Sequence, residues 1–232
     1  LNYENLFADE STPIDYTISP DLIASNYIKK LISNQGTHQI FNFSNEEDSF
    51  INIFYEENSD NENSIKHYQT SCDKFNSKIC AFIRNDKLFS IEDDDILQAD
   101  DELLIICKEE NIVDVTKIFK RVKDNKRIMI TGGGNIGKHL SDSMSGNFQV
   151  KVIEKNEDRS EYLSEVLDDV TIINADSSNE DILLEENIEH MDVFCALTND
   201  DEANILSAML AKKLGSKTVM SIINKTSYSD LV

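Results

Sequence analysis

The sequence predicts an α/β chain in two parts. A Rossmann-like, doubly wound parallel sheet occupies residues 127–232, and a smaller β-rich α+β domain precedes it. Three observations carry this. Four of the seven glycines fall at 132, 133, 134 and 137. From residue 127 onward, short apolar runs of strand-forming residues alternate with helical stretches, which is the pattern of a parallel sheet wound on both faces. Residues 36–110 instead hold short β-type runs joined by polar turns, the pattern of a largely antiparallel sheet.

Taken in order, DLIASNYIKKLI (21–32) reads as a helix. HQIFNF (38–43), FINIFY (50–55), KICAFIR (78–84), KLFSI (87–91) and ELLIIC (102–107) read as strands, with little between them that resembles a long helix. NIVDVTKIFKRV (111–122) reads as a helix leading toward the next strand. That strand is RIMIT (127–131), followed by the glycines and a helix through Met144. QVKVIE (149–154), VTIIN (170–174), VFCAL (193–197) and TVMSII (218–223) complete five strands. Tyr162, Leu163, Val166 and Leu167 suit a helix after the second of them, and Ile182, Leu183 and Ile188 suggest a short one after the third. EANILSAMLAKKL (202–214) reads as a helix stopped by Gly215.

The two ends of the chain resemble each other. A shift of 225 residues places Tyr3 on Tyr228, Leu6 on Leu231 and Phe7 on Val232. The expectation is a chain cut from a tandem repeat, with the sheet truncated after its fifth strand and IDYTI (14–18) corresponding to the missing sixth. The domains expected are residues 1–32 as the tail of a preceding nucleotide-binding domain plus a crossover helix, and 33–112 as the β-rich domain. Residues 113–126 form a connector, and 127–232 the doubly wound domain.

Lys and Arg total 22 against 44 Asp and Glu, a net charge of −22. A surface so acidic argues against nucleic acid or anionic lipid as partner. The densest acidic run, EDDDILQADDE (92–102), lacks the glycine and alternate spacing of a calcium loop, so no metal site is expected there. Cys72, Cys80, Cys107 and Cys195 show no metal-binding spacing and read as reduced thiols. No apolar run approaches the roughly 18 residues that span a bilayer, and residues 1–20 do not read as a signal peptide.

Gly132, Gly134 and Gly137 spell G-x-G-x-x-G between a strand and a helix, the context in which that spacing cradles a pyrophosphate. Gly132 allows the turn out of the strand, Gly134 keeps side chains off the phosphates, and Gly137 lets helix and sheet approach. The amides of Asn135 and Ile136 then lie at a helix N-terminus, where partial positive charge favours an anion. Glu154 ends the second strand and is placed for the ribose hydroxyls, or for capping the turn that follows. As a ribose ligand it would repel a 2′-phosphate, favouring NAD(H), ADP or ATP over NADP(H), although Lys155 beside it weakens that exclusion. Asp176, Thr198 and Asn199 follow the third and fourth strands, at the carboxyl ends where open α/β sheets bind ligands. Asp200, Asp201 and Glu202 read as caps of the following helix.

GGGNIGKHL (132–140), VIEKN (152–156), NADSSNEDIL (174–183) and ALTNDDEANILSAMLAKKLG (196–215) resemble the RCK, or TrkA-type, nucleotide-binding domain of Trk potassium-uptake systems. The segment ending in LQADDELLIIC (97–107) resembles the companion RCK C-type (TrkA-C) domain, and residues 3–20 the tail of a preceding nucleotide domain. This resemblance implies a regulator, not an enzyme, on the cytoplasmic face of a potassium-translocating membrane subunit. It would assemble as a homo-oligomeric ring and gate transport through bound NAD(H) or ATP/ADP. It also implies phosphate contacts from Gly132, Gly134, Asn135, Ile136 and Gly137, ribose contacts from Glu154, and Asp176 near the adenine. Thr198 and Asn199 would lie near the second half of the ligand and Lys225 near the phosphates.

The rival class is an NAD-dependent oxidoreductase. It would need a proton donor beside the nicotinamide, such as a His with a carboxylate or a Tyr with a Lys four residues on. Val166 follows Tyr162 at that spacing and Val232 follows Tyr228; His139 and His190 read as structural or surface residues, and His38 and His67 belong to the other domain.

Overall fold

A computed structural model describes residues 17–43, 47–57, 63–122 and 126–225. The first helix, α1 (Pro20–Ser33), starts at Ser19, whose hydroxyl accepts from the Leu22 amide, with Pro20 at the first helical position. It buries Ile28 and Ile32 not against the β-rich sheet but in the core of the doubly wound domain, packed on α4 (Asn135–Met144).

The β-rich sheet comprises β1 (Gln39–Asn42), β2 (Asp48–Phe54), β3 (Lys78–Arg84), β4 (Lys87–Ser90) and β5 (Glu102–Lys108) in the order β1-β2-β5-β3-β4. Every pairing is antiparallel. Its inner face sets Ile51, Ile53, Ile79, Leu103 and Ile105 against α2 (Ile65–Cys72) and α3 (Ile112–Phe119). Two of these elements differ from the sequence reading. Helix α2, where little helix was expected, is capped by Ser64 and buries Ile65, Tyr68 and Cys72. Helix α3, expected as part of a connector, drives Val115 and Phe119 into the core under this sheet and ends at Phe119, because Lys120 is extended.

The second sheet holds β6 (Arg127–Thr131), β7 (Gln149–Glu154), β8 (Val170–Asn174), β9 (Val193–Ala196) and β10 (Thr218–Ser221) in the order β10-β9-β6-β7-β8. All of its pairings are parallel. Helices α4, α5 (Glu157–Val166), α6 (Glu180–Glu185) and α7 (Asp201–Lys213) connect them. Two apolar cores flank the sheet, one holding Ile128, Ile130, Val152 and Leu163, the other Met129, Ile153, Phe194 and Ala208. The doubly wound α/β fold is therefore as expected. Strand order reverses between β6 and β9, which opens a crevice at their carboxyl ends. The proposed end-to-end match of residues 1–7 with 226–232 lies outside the described residues. So does most of the expected sixth strand, of which Thr17 and Ile18 are described and are not in a strand.

Buried Asp192 fixes the opposite end of this sheet. Its carboxylate accepts from the amides of Lys126 and Arg127 and pairs with Lys217, tying the starts of β6, β9 and β10. Burial pushes its pKa up, but these donors outweigh that and leave it below the ordinary carboxylate range.

Candidate functional site: the crevice above the glycine loop

The glycine loop leaves β6 at Gly132, whose φ of +95° lies where side chains are disfavoured and whose amide donates to the Ile153 carbonyl at 3.0 Å. A Cβ at Gly132 would stand 2.8 Å from the backbone of Leu197 and Thr198, so the loop after β6 rests directly on the loop after β9. At Gly137 a Cβ would come within 2.0 Å of the Gly132 carbonyl oxygen. Both glycines are thus required by the protein itself.

Gly134 is not. Its φ of −61° and ψ of −165° suit any residue, and a Cβ there would meet nothing within 4 Å. The missing side chain would project into open crevice at the N-terminus of α4, where the early amides of the helix have no intrahelical acceptor. Space kept clear at the positive end of a helix fits a group with a phosphate.

The crevice is a cavity of about 530 Å³ lined by Gly132, Gly134, Glu154, Asp176, Thr198 and Asn199, among others. A contiguous one of about 300 Å³ adds Asn135, Ile136 and Asn224. Nine of the ten residues expected at the site are thereby brought to one place, Gly137 through its contact with Gly132. Lys225 is the exception: its Nζ bonds Glu202 at 3.0 Å, and it lines neither cavity.

The described contacts give several of these residues definite work. Glu154 spans the loop and the next turn, its Oε2 accepting from the Gly133 amide at 2.7 Å and its Oε1 from the Asn156 amide at 2.8 Å. A carboxylate has further acceptor capacity beyond one bond at each oxygen, so both bonds are compatible with a ribose contact. Asp176 is bound by Lys155 Nζ at 2.7 Å and by the amide and hydroxyl of Ser178. Led by the Lys155 contact, these hold its pKa down at about 2. Lys155 is thus partnered by a carboxylate that lines the same cavity.

Thr198 is positioned by Asn204, which is fully buried on α7. Asn204 Oδ1 accepts from the Thr198 amide and hydroxyl, and its Nδ2 donates to the carbonyls of Thr198 and Ile222. One side chain therefore ties the ends of β9 and β10 together through four hydrogen bonds, each contributing about 1 kcal/mol net. Of the three expected caps, Asp200 accepts from the Ala203 amide as a cap does. Asp201 is buried and instead accepts from Asn224 and the Lys225 amide, fixing the segment after β10; these bonds, the Asn224 amide foremost, lower its pKa.

Sequence reasoning missed Arg159, Asn204, Asp21 and the role of Gly133. Arg159 Nε donates to the Gly133 carbonyl at 2.7 Å, and its guanidinium lies 4.9 Å from the Tyr162 ring centroid while lining both cavities. The three-residue step from Arg159 to Tyr162 is a visible signal of a shared helix face. A Cβ at Gly133 would stand 2.2 Å from the buried Leu163 Cδ1 and 3.0 Å from Glu154 Oε2, so both side chains would have to shift to admit one. Among the described residues no cluster of three or more His, Cys, Asp or Glu is arranged to hold a metal, and no helix is long and apolar enough to cross a membrane.

Fold and crevice together define a doubly wound, Rossmann-like domain of the nucleotide-binding kind. Residues 128–232 match the family model of the TrkA-N domain. The whole chain is 35% identical over 237 residues to the Trk system potassium uptake protein TrkA of Halomonas elongata, covering 51% of that protein. It is 36% identical over 231 residues to the protein of the same name from Vibrio alginolyticus, with 99% of this chain and 50% of that protein covered. The chain thus spans about half the length of the curated relatives it matches. Among solved structures it is similar in fold to the GsuK channel, at a TM-score of 0.53 and 13% identity over 88% of this chain and 40% of that one. A structure of the GsuK channel bound to NAD is similar at a TM-score of 0.50 and 13% identity, over 84% of this chain and 39% of that one.

Proposed function

We propose that this chain is part of a TrkA-type regulatory subunit of a potassium uptake system, and that its crevice holds NAD(H) or ATP/ADP as a signal. The observation that carries the reading is Gly134, a glycine for which the fold has no use and a phosphate does. The relatives' names support the potassium-uptake context, and the GsuK neighbour solved with NAD supports a dinucleotide as ligand.

In this reading Gly132, Gly134, Asn135, Ile136 and Gly137 hold phosphates, and Glu154 meets the ribose. Asp176 lies by the adenine, and Thr198 and Asn199 by the second half of the ligand. Residues 33–112 act as a TrkA-C domain joined through 113–126 to a TrkA-N domain at 127–232, with 1–32 closing a preceding unit. A homo-oligomer on the cytoplasmic face of a potassium-translocating membrane partner would pass the bound state on. Such a switch needs no catalytic group, only a difference in ligand affinity between two conformations, about 1–3 kcal/mol for typical coupling.

Calorimetric titration with NADH, ADP, ATP and NADPH tests this. Binding of NADH, ADP or ATP at least tenfold tighter than NADPH is expected, since Glu154 and Asp176 oppose a 2′-phosphate and Lys155 is engaged by Asp176. NADPH binding best would remove the role given to Glu154 and return the oxidoreductase reading.

A further inference from the structure

Asp21 stands 114 residues before Asn135, yet its Oδ2 accepts a hydrogen bond from Asn135 Nδ2 at 2.9 Å. It lines the smaller cavity with Gly134, Asn135, Arg159 and Asn199. An acid in the first turn of α1 also complements that helix's dipole, but this does not explain why the carboxylate meets the first residue of a different helix. The helix that carries Asp21 is held through its C-terminal half. Ile28 and Ile32 are buried in the core of the doubly wound domain. Lys30 bonds Asn42 and pairs with Glu109 Oε1 at 2.7 Å, both in the β-rich domain. These supports, with the packing of α1 on α4, set the start of α1 and with it Asp21 beside the crevice.

We infer that Asp21 sets the specificity of the crevice's second half. It favours a ligand half that presents hydroxyl or amide donors, as a dinucleotide does, over the further phosphate of a nucleoside triphosphate. This rests on the nucleotide reading above. An ionised carboxylate only accepts hydrogen bonds. Ribose hydroxyls and a carboxamide can donate to it, whereas a terminal phosphate offers acceptor oxygens and like charge in a partly enclosed site.

The test is titration of the wild-type chain and Asp21→Asn with NADH and with ATP, each in EDTA and again in magnesium. Asparagine keeps the shape and can still accept from Asn135, while the charge is gone. The expected result is ATP binding tightened about tenfold in EDTA and NADH binding weakened, because a neutral side chain accepts less strongly from its donors, so that the ratio of the two affinities moves at least tenfold toward ATP. A melting temperature equal to that of the wild-type chain serves as the readout of an intact fold. An unchanged ratio of the two affinities would overturn the inference while leaving the nucleotide reading standing. Weaker ATP binding in magnesium would also overturn it, because Asp21 would then favour the triphosphate through a cation. Equal loss of both ligands would mark Asp21 as merely structural and overturn it as well. No binding of either ligand to the wild-type chain would remove the nucleotide reading, and this inference with it.

Discussion

Gly134→Asp is expected to weaken NADH binding at least ~100-fold, about 2.7 kcal/mol, without lowering the melting temperature. The two halves of this expectation come from one position. The backbone of Gly134 is in the ordinary extended region, and no atom lies within 4 Å of where a Cβ would be placed. Gly134 is the N-cap of α4, and aspartate is among the preferred residues there. Its carboxylate would accept from the free amides of the first turn and complement the helix dipole, so stability should hold or rise by about 0.3–1 kcal/mol. The same carboxylate would fill the space and take up the donors that a phosphate needs. A calorimetric titration beside a thermal melt checks both halves. Undiminished binding would mean that the ligand does not use this loop, and a large drop in melting temperature would mean that Gly134 serves the fold after all.

Three residues on, Gly137→Ala is expected to do the reverse. Helix propensity alone predicts a gain of roughly 1 kcal/mol from alanine inside α4. Against it stands a methyl group placed 2.0 Å from the Gly132 carbonyl oxygen, 3.1 Å from the carbon of that carbonyl and 3.5 Å from Ile130 Cγ2. Two of those neighbours are backbone atoms of the loop itself, so no flexible side chain can yield. Overpacking of this kind costs about 2–4 kcal/mol and wins over propensity. A fall in melting temperature of roughly 10 °C is expected, with ligand binding weakened only as far as the loop is displaced. A melting temperature equal to or above wild type would show that helix α4 can move off the loop at little cost.

The contrast between these two glycines also shows what the sequence could and could not convey. The motif spacing identified the loop, the strand before it and the helix after it, because tight turns and close approaches demand glycine locally. It also divided the roles, giving Gly132 to the turn and Gly137 to the helix–sheet approach and Gly134 to the expected phosphates, but it could not show the contacts behind that division or assign a role to Gly133. That division depends on Leu197, Leu163 and the Gly132 carbonyl, which only the folded chain brings near. The five parallel strands were legible because each is a short apolar run between helix-type segments. Helix α2 was not, although Ile65, Tyr68 and Cys72 carry a helical spacing, because the residues between them are polar and the helix has only 8 residues. Its stability comes from tertiary packing, with Tyr68 stacked on Phe119 at 5.2 Å and its hydroxyl 3.0 Å from that of Tyr55.

The site was legible where function sits next to the motif and hidden where it arrives from elsewhere. Glu154, Asp176, Thr198 and Asn199 could be placed because strand ends in a doubly wound sheet converge on one crevice. Asp21 could not, since nothing in DLIASNYIKKLI states that Ile28 and Ile32 will be buried beside α4. Asn204 looked like one more polar residue near a helix start, but its burial turns it into the clamp of two strand ends. Lys225 was expected toward the phosphates, whereas its amide is fixed by Asp201 and its ammonium group is paired with Glu202.

The central claim is that a nucleotide is held on the glycine loop at the N-terminus of α4. The most direct measurement is a map of backbone amide resonances as NADH, and separately ADP, is added to the isotope-labelled chain. The amides of Gly132–Gly137 and of Leu197–Asn199 are expected to shift most, while those of β1–β5 remain in place. Shifts confined to the β-rich sheet, or spread evenly with the glycine loop unmoved, would contradict the claim.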